Sequence, residues 1–184
     1  MSPRLEHEDA PIPRFPSPLA RTLRFLPLYP VSMALTRLTQ NMAGRHEAMF
    51  RRLGAHANAT FLLDPTDLPV TLCLEPRSGR PKVSLHRRPP NADARIAGPL
   101  AALIGLVHGA YDGDALFFSR DLVIEGDTAA ALALRNAVDD AELDLAAEVE
   151  NLSGPFARPL HKLIELAERR TGVALTRHEE DLLW

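Results

Sequence analysis

The sequence predicts an α+β fold in which helices cover a five-stranded, mainly antiparallel sheet. Between residues 60 and 98, apolar and polar residues alternate with a period of two, which is typical of short strands. Before and after that segment, apolar residues recur at helical spacing. Residues 112–140 combine a strand, a tight turn and a helix start in one short run, and the other segments are placed relative to it.

The length and composition fit one domain, since 46% of the 184 residues are hydrophobic and 24% are charged. The net charge of -3 conceals an asymmetry, because residues 14–52 hold seven arginines against Glu47 alone. We expect four parts along the chain. They are an unstructured proline-rich arm at 1–17, a basic amphipathic helical segment at 18–54, the main core at 55–152, and an amphipathic helix with a tail at 153–184.

The cellular compartment is indicated by cysteine usage and by the signals that the sequence lacks. Cys73 is the single cysteine, which excludes an internal disulfide and a cysteine-rich zinc site and fits a reducing cytoplasm. Residues 1–16 have no basic region followed by an apolar run, as a secretion signal would. The longest apolar run, residues 100–107, is well short of the roughly 20 residues that span a bilayer. We expect a cytoplasmic protein without a transmembrane segment.

Residues 18–29 mix leucines and aromatic residues with arginines, and Pro27 interrupts any helix there. Two interpretations are equally favoured: the segment rests at an anionic membrane surface, or it packs its leucines on the domain. The candidate membrane contacts are Arg21, Leu23, Arg24, Phe25 and Leu26.

Helical spacing continues from Pro30 to Gly44, and a second short helix is predicted over 46–53. Four strands then follow, separated by turns rich in proline and glycine, and we expect them to form an antiparallel meander. Their alternating residues are Phe61 and Leu63, Val70 to Leu74, Val83 and Leu85, and Ala94 and Ile96. A fifth strand, 122–125, arrives after a helical crossover.

The crossover, residues 99–109, is apolar on nearly every side. A helix without a polar face must be buried all round, or must face apolar material that is not protein. The sequence therefore suggests a lipid-sized cavity. His108 at the end of this helix is better explained as a core or helix-end histidine than as a ligand.

The fifth strand should end at Glu125, with Gly126 as a turn and Asp127 as the cap of the next helix. This explains Asp127 without a substrate, so a structural role is favoured for both acids over acid–base chemistry. For Arg120, a solvated charge and an anion-binding role remain equally favoured.

No motif nominates a nucleophile, a metal site or a nucleotide-binding loop in this chain. The seven histidines show no pair at metal-ligand spacing on one helix or strand. The paired arginines have no interleaved aromatic residues, and the net charge is negative, which makes nucleic-acid binding improbable. We expect a non-enzymatic protein with no cofactor and no metal.

At residues 114–128, DALFFSRDLVIEGDT, and 133–144, ALRNAVDDAELD, the chain resembles the sterol carrier protein type 2 domain family. The resembling positions include Leu116, Phe117 and Phe118, Arg120, Ile124 to Thr128, Arg135 and Asn136. A weaker resemblance covers 24–54, so that the whole match runs over about 20–150. Ser119 and Ala129 to Ala131 depart from the family's pattern. Because of the alanines, the resemblance does not extend to a specific polar ligand contact at that helix start, but it still implies the fold.

The resemblance implies a five-stranded sheet covered by helices around an apolar tunnel, and non-catalytic lipid binding. It also implies a part in ubiquinone synthesis, in the oxygen-independent pathway, with the partner proteins UbiU and UbiV. The expected ligand is an isoprenoid quinone precursor or a phospholipid. The candidate wall residues are Leu72, Leu74, Ile96, Leu103, Leu106, Phe117, Phe118, Ile124 and Leu132.

Two alternatives from other classes remain open. One is an enzyme that uses Arg120, Glu125, Asp127 or His108 on a small substrate. The other is a scaffold whose acidic face, residues 139–150, recruits basic partners. For the carrier, the basic segment 14–52 predicts transient, salt-sensitive association with the inner face of the membrane.

Overall fold

The computed structural model describes residues 14–25, 27–108, 122–139 and 141. Its amino-terminal part consists of helix α1 (Ser17–Thr22), a 3-10 turn (Leu23–Phe25), helix α2 (Leu28–Arg45) and helix α3 (Glu47–Arg52). The two helices predicted from 30 and from 46 are confirmed, although α2 begins two residues earlier than expected. Pro30 lies in the first turn of α2, where the missing N–H would have no helical partner.

Five strands form one sheet in the spatial order β3-β2-β1-β4-β5. They are β1 (Phe61–Pro65), β2 (Thr71–Glu75), β3 (Lys82–His86), β4 (Ala94–Gly98) and β5 (Val123–Gly126). Neighbouring strands are antiparallel except β1 and β4, which are parallel. The α+β class and the five-stranded, mainly antiparallel sheet are confirmed.

The predicted four-strand meander is wrong at its last strand. The chain meanders through β1, β2 and β3, but β4 pairs with β1 rather than with β3. The segment 87–93, which contains two prolines, carries the chain from one end of the sheet back to the other, so β4 runs in the direction of β1. A hairpin return would have placed β4 antiparallel to β3.

Helix α2 lies along the outer edge of β3 and occupies its free backbone groups. The Thr36 hydroxyl accepts from the Val83 amide at 3.0 Å and donates to the Val83 carbonyl at 2.8 Å. The Ser32 hydroxyl accepts from the Leu85 amide at 2.9 Å. A free strand edge is a template for pairing with another chain, so these hydroxyls close one edge of the sheet.

After the sheet's fourth strand come helix α4 (Leu100–His108) and, after β5, helix α5 (Thr128–Asp139). The two helices contact each other and pack on β4. A single core joins them to the sheet and to the amino-terminal helices, with Leu38, Phe50, Phe61, Leu103 and Leu134 among its buried members. Small alanines on the inner side of α5 allow it to lie close to the sheet.

The turn after β5 follows the prediction. Gly126 has a φ of +80°, and the amide of Asp127 donates to the carbonyl of Asp93 at 2.7 Å. One carboxylate oxygen of Asp127 accepts from the Ala130 amide at 2.9 Å, which is the expected cap of α5. The predicted turn and cap are therefore both confirmed.

A second aspartate ties the amino-terminal arm to the core. The carboxylate of Asp67, in the turn after β1, accepts from the Phe15 amide at 2.8 Å. Its other oxygen accepts from the Leu100 amide at 2.9 Å, at the start of α4. One side chain thus joins the segment before α1 to the first turn of α4.

Candidate functional site

The helix-facing side of the sheet carries two rows of side chains that run across the strands. Strand register places directly opposed residues side by side on the same face. The first row, nearer the end where β1 finishes, is Leu85, Leu72, Leu63, Ile96 and Ile124. The second row is Val83, Leu74, Phe61, Ala94 and Gly126.

The two rows differ in how completely the helices cover them. In the second row Val83, Phe61 and Ala94 are buried. In the first row only Ile96 is buried, and the other four large aliphatic residues are half-buried. The first row therefore keeps accessible apolar surface inside the helix-facing side, where an acyl or isoprenoid chain gains about 25 cal/mol for each Å² that it covers.

Helices α4 and α5 pack on this face of the sheet. Leu103 is buried in the core, and Leu106 is half-buried against it. Leu132, by contrast, lies on the outer side of α5 with 46% of its surface exposed, because alanines and Leu134 occupy the inner side. This geometry does not support Leu132 as a wall residue, and we leave it out of the site.

Several candidate residues fall outside the described part of the chain. They are Phe117, Phe118 and Arg120, and also Leu26. His108 ends α4, but its side chain is likewise not described. Of the acidic face, Asp139 is described, and it lies 3.6 Å from Arg135.

The other candidate membrane contacts lie at the amino-terminal flank of the molecule. Arg21, Arg24 and Phe25 are exposed, the last with 90% of its surface accessible, whereas Leu23 is half-buried. The side chain of Arg87, just after β3, donates to the Arg24 carbonyl at 2.8 Å. The 3-10 turn is thereby fixed beside the end of β3.

The acids considered for catalysis have structural partners. Glu125 accepts from the guanidinium of Arg95 at 2.5 Å on the sheet face opposite the core, and Asp64 accepts from the same guanidinium at 2.9 Å. The hydrogen bonds to Asp64 and then to Glu125 raise the pKa of Arg95. Asp127 caps α5, and it also lies 3.5 Å from the His56 ring. The sequence analysis missed Arg95 and His56, because their partners are distant in the chain.

No feature of the described residues points to metal or thiol chemistry. Within them, no three potential ligand side chains of His, Cys, Asp or Glu come together as a metal ion requires. Cys73 is buried in β2, and its burial, followed by the charge of Glu75, raises the pKa of its thiol. A buried neutral thiol is an unreactive filler.

Among the described residues, helices α4 and α5 pack on one face of the sheet and leave an aliphatic row there incompletely covered, and apolar side chains of this kind line most ligand sites. The sequence matches the model of the SCP-2 sterol transfer family over residues 38–139, more than half of the chain. The chain therefore belongs to the SCP-2 sterol transfer family. It contains a lipid-binding domain of this family, whose members are typically non-catalytic lipid carriers.

Several solved structures are similar to this chain, and the one with a TM-score above 0.5 shows the same fold. A UbiJ-SCP2 ubiquinone synthesis protein is 18% identical with a TM-score of 0.51, and the match covers 64% of this chain and 96% of that one. A sterol carrier protein 2 is 19% identical with a TM-score of 0.46, over 59% and 94% of the two chains. The apo sterol carrier protein 2 of Yarrowia lipolytica is 18% identical with a TM-score of 0.43, over 61% and 92%. Comparison with curated proteins gave no match.

Proposed function

We propose that the protein is a non-catalytic carrier that holds one apolar chain against the first row of the sheet. The supporting observation is that row itself, where Leu63, Leu72, Leu85 and Ile124 remain half-buried beside a fully buried Ile96. Leu103 and Leu106 of α4, with Leu74 in the adjoining row, complete the proposed wall. The ligand is an isoprenoid quinone precursor or a phospholipid, held by apolar burial with few polar contacts.

The test is to extract the purified full-length protein with organic solvent and to identify lipid by mass spectrometry. A fluorescent lipid then measures occupancy in two variants, Leu72→Gln in the row and Leu132→Gln on the exposed side of α5. Because a leucine contributes about 1.5 to 3 kcal/mol on burial, Leu72→Gln should weaken lipid binding by about tenfold or more. Leu132→Gln should bind like the unchanged protein. Equal binding by all three proteins, or no lipid in the extract, would contradict the carrier.

We further propose that this carrier acts in ubiquinone biosynthesis, as an accessory factor like UbiT in the oxygen-independent pathway. The support is the sequence resemblance over 114–128 and 133–144. The UbiJ-SCP2 structure, at 18% identity, supports the fold alone. Proteins like UbiU and UbiV are the proposed partners.

Deleting the gene in its native host should lower ubiquinone in anaerobic cultures and leave aerobic cultures unchanged. The unchanged gene should restore ubiquinone, and one carrying Leu72→Gln should not. Loss of ubiquinone in both conditions would refute the oxygen-independent assignment. Purification from anaerobic cells should recover the proposed partners with the protein.

The place of action that we propose is the cytoplasmic face of the membrane, reached transiently through residues 21–26. Arg21, Arg24 and Phe25 are exposed there, and each cation near an anionic leaflet contributes about 1 kcal/mol. Among the described helices, none combines the length and the hydropathy that a membrane-spanning helix requires. Changing Arg21 and Arg24 to Glu should weaken binding to vesicles containing phosphatidylglycerol without lowering the unfolding midpoint. Unchanged vesicle binding would indicate that this segment serves packing instead.

A further inference from the structure

A groove about 740 Å³ in volume runs between α2 and the edge of β3, on the flank next to Phe25. We call it the α2–β3 groove. Its apolar lining includes Tyr29 and Met33, and its basic lining consists of Arg37, Arg77, Arg80 and Lys82. Leu85, at the end of the first row, also lines this groove, whereas the other residues of the proposed lipid site do not.

The apolar side chains of the groove are unusually exposed. Tyr29 has 77% and Met33 has 42% of its surface accessible. They are four residues apart in α2 and so share one side of the helix. Phe25 precedes them in the 3-10 turn that Arg87 fixes beside the end of β3. Three large apolar side chains therefore follow one another along the flank as an exposed strip.

The cations of the groove are only partly neutralised. Glu75 lies 2.7 Å from Arg77 and 3.8 Å from Lys82, so one carboxylate serves both. Arg37 and Arg80 have no ion-pair partner among the described residues. The groove therefore has a net positive charge, which Arg21 and Arg24 continue toward the amino terminus.

Exposed aromatic and thioether side chains beside a cluster of arginines suit the interface of an anionic bilayer. The apolar groups enter the headgroup region there, and the cations meet lipid phosphates. Long arginine stems lie on the apolar layer while their heads stay in water. The charges are spread over α1, α2, the turn before β3 and β3, which fits an extended charged surface better than a single small anion.

We propose that the α2–β3 groove and the strip Phe25, Tyr29 and Met33 form the main docking face for an anionic membrane. This inference rests on the proposed membrane visit of the carrier and extends its contact well beyond residues 21–26. The docking face includes the end of the sheet where the first apolar row lies. Docking through it brings that row, with Leu72 and Leu85, to the side of the molecule that meets the lipid pool.

The first test compares three full-length variants that each exchange one exposed arginine for glutamate: Arg37→Glu and Arg80→Glu in the groove, and Arg51→Glu on α3. Arg51 lines a different cleft together with Ala137. Flotation with phosphatidylcholine vesicles, with and without phosphatidylglycerol, measures partitioning. Each groove variant should lose about fivefold or more of its binding to anionic vesicles, and Arg51→Glu should lose clearly less. Equal binding by all three variants would overturn the proposal. So would binding that is equally strong with and without phosphatidylglycerol.

The second test measures directly whether the exposed strip contacts the bilayer. A fluorophore attached at Met33→Cys should be quenched by vesicles that carry nitroxide-labelled lipid, and one attached at Leu132→Cys should not. Selective labelling is feasible because Cys73, the one native cysteine, is buried. Equal quenching at the two positions, or none at Met33→Cys, would overturn the docking face.

Different results would contradict the proposed docking face and the proposed function on which it rests. If Arg21→Glu with Arg24→Glu abolishes vesicle binding while the groove variants retain it, the membrane visit stands and the groove assignment is overturned. If the groove variants lose vesicle binding but no lipid is ever extracted from the protein, the docking face is supported and the carrier is not. Groove variants should keep their extracted lipid, since none of these arginines lines the first row.

Discussion

At the scale of single residues, Gly126 occupies a position that a side chain could enter only by moving the backbone beside it. A Cβ placed there would lie 2.3 Å from the Asp93 carbonyl oxygen, and the φ of +80° disfavours any L-residue. We predict that Gly126→Ala lowers the free energy of unfolding by about 2 to 3 kcal/mol, as measured by urea denaturation.

Gly44 provides the matched control, because it lies inside α2 with nothing within 4 Å of an added Cβ. Gly44→Ala should raise the free energy of unfolding by about 0.5 to 1 kcal/mol. Destabilisation by both substitutions to the same degree would contradict the account of the β5–α5 turn.

Cys73 supplies a prediction about reactivity and pH. Burial raises the pKa of its thiol above the ordinary value of 9.0. The stability contributed by the neutral buried thiol is therefore full below pH 9.0 and is lost as the pH rises through the elevated pKa. At pH 8, the native thiol should react with a disulfide reagent at least about tenfold more slowly than the urea-unfolded thiol. A thiol introduced by Met33→Cys should react at the unfolded rate, and a fast native Cys73 would show that β2 opens readily.

At the scale of elements, the contact between α2 and β3 depends on side-chain hydroxyls. Thr36→Val keeps the shape of the side chain but leaves the Val83 amide and carbonyl without the partner at 3.0 and 2.8 Å. We predict a loss of about 2 to 3 kcal/mol in unfolding free energy and faster hydrogen exchange at the Val83 amide.

Thr39→Val is the control for this pair. Among the described residues, the partner of the Thr39 hydroxyl is the Leu35 carbonyl, to which it donates within its own helix at 2.8 Å. Removing it should change the unfolding free energy by less than about 1 kcal/mol, since the carbonyl keeps its helical partner. An equal effect of the two substitutions would show that the hydroxyls do not hold α2 to the strand.

The elements were predictable from the chain because their signals are local. Alternation located β1 to β4, helical spacing located α2, and Gly126 with Asp127 marked the start of α5. The pairing of β1 with β4 carried no such signal. Alternation fixes which side chains share a face, but it is the same for parallel and antiparallel neighbours, and a seven-residue connection permits either.

At the scale of the whole molecule, a carrier that holds lipid should unfold at a higher temperature than the empty chain. A ligand present at about 100 times its dissociation constant contributes about 2.7 kcal/mol. For a chain of this length, that contribution corresponds to roughly 5 to 10 °C. Stripping lipid from the purified protein should lower the midpoint in scanning calorimetry by that amount, and adding the extracted lipid back should restore it. An unchanged midpoint would argue against a bound chain.

The candidate site was predictable only in part, because it depends, like the pairing of β1 with β4, on contacts between residues that are distant in the chain. The sequence assigned Leu72, Ile96 and Ile124 to one face of the sheet, and the register agrees. It did not indicate which row would stay half-covered, because coverage depends on where helices cross the sheet. Nor did it indicate that Leu132 would lie on the outer side of its helix, which turns alanines inward. The basic groove needs residues from α2 and from β3, which are some 45 positions apart.

The parallel pairing of β1 with β4 has a consequence for synthesis of the chain. As residues leave the ribosome in order, β1, β2 and β3 can pair as soon as His86 has emerged. The other edge of β1 pairs with β4 in the finished sheet, where β1 is the central strand. That edge has no partner until residues up to Gly98 have also emerged. During that interval the nascent chain presents a strand of Phe61, Leu62 and Leu63 with open backbone groups. That unpaired edge makes the nascent protein a candidate for chaperone binding, even though the finished sheet encloses β1 on both sides.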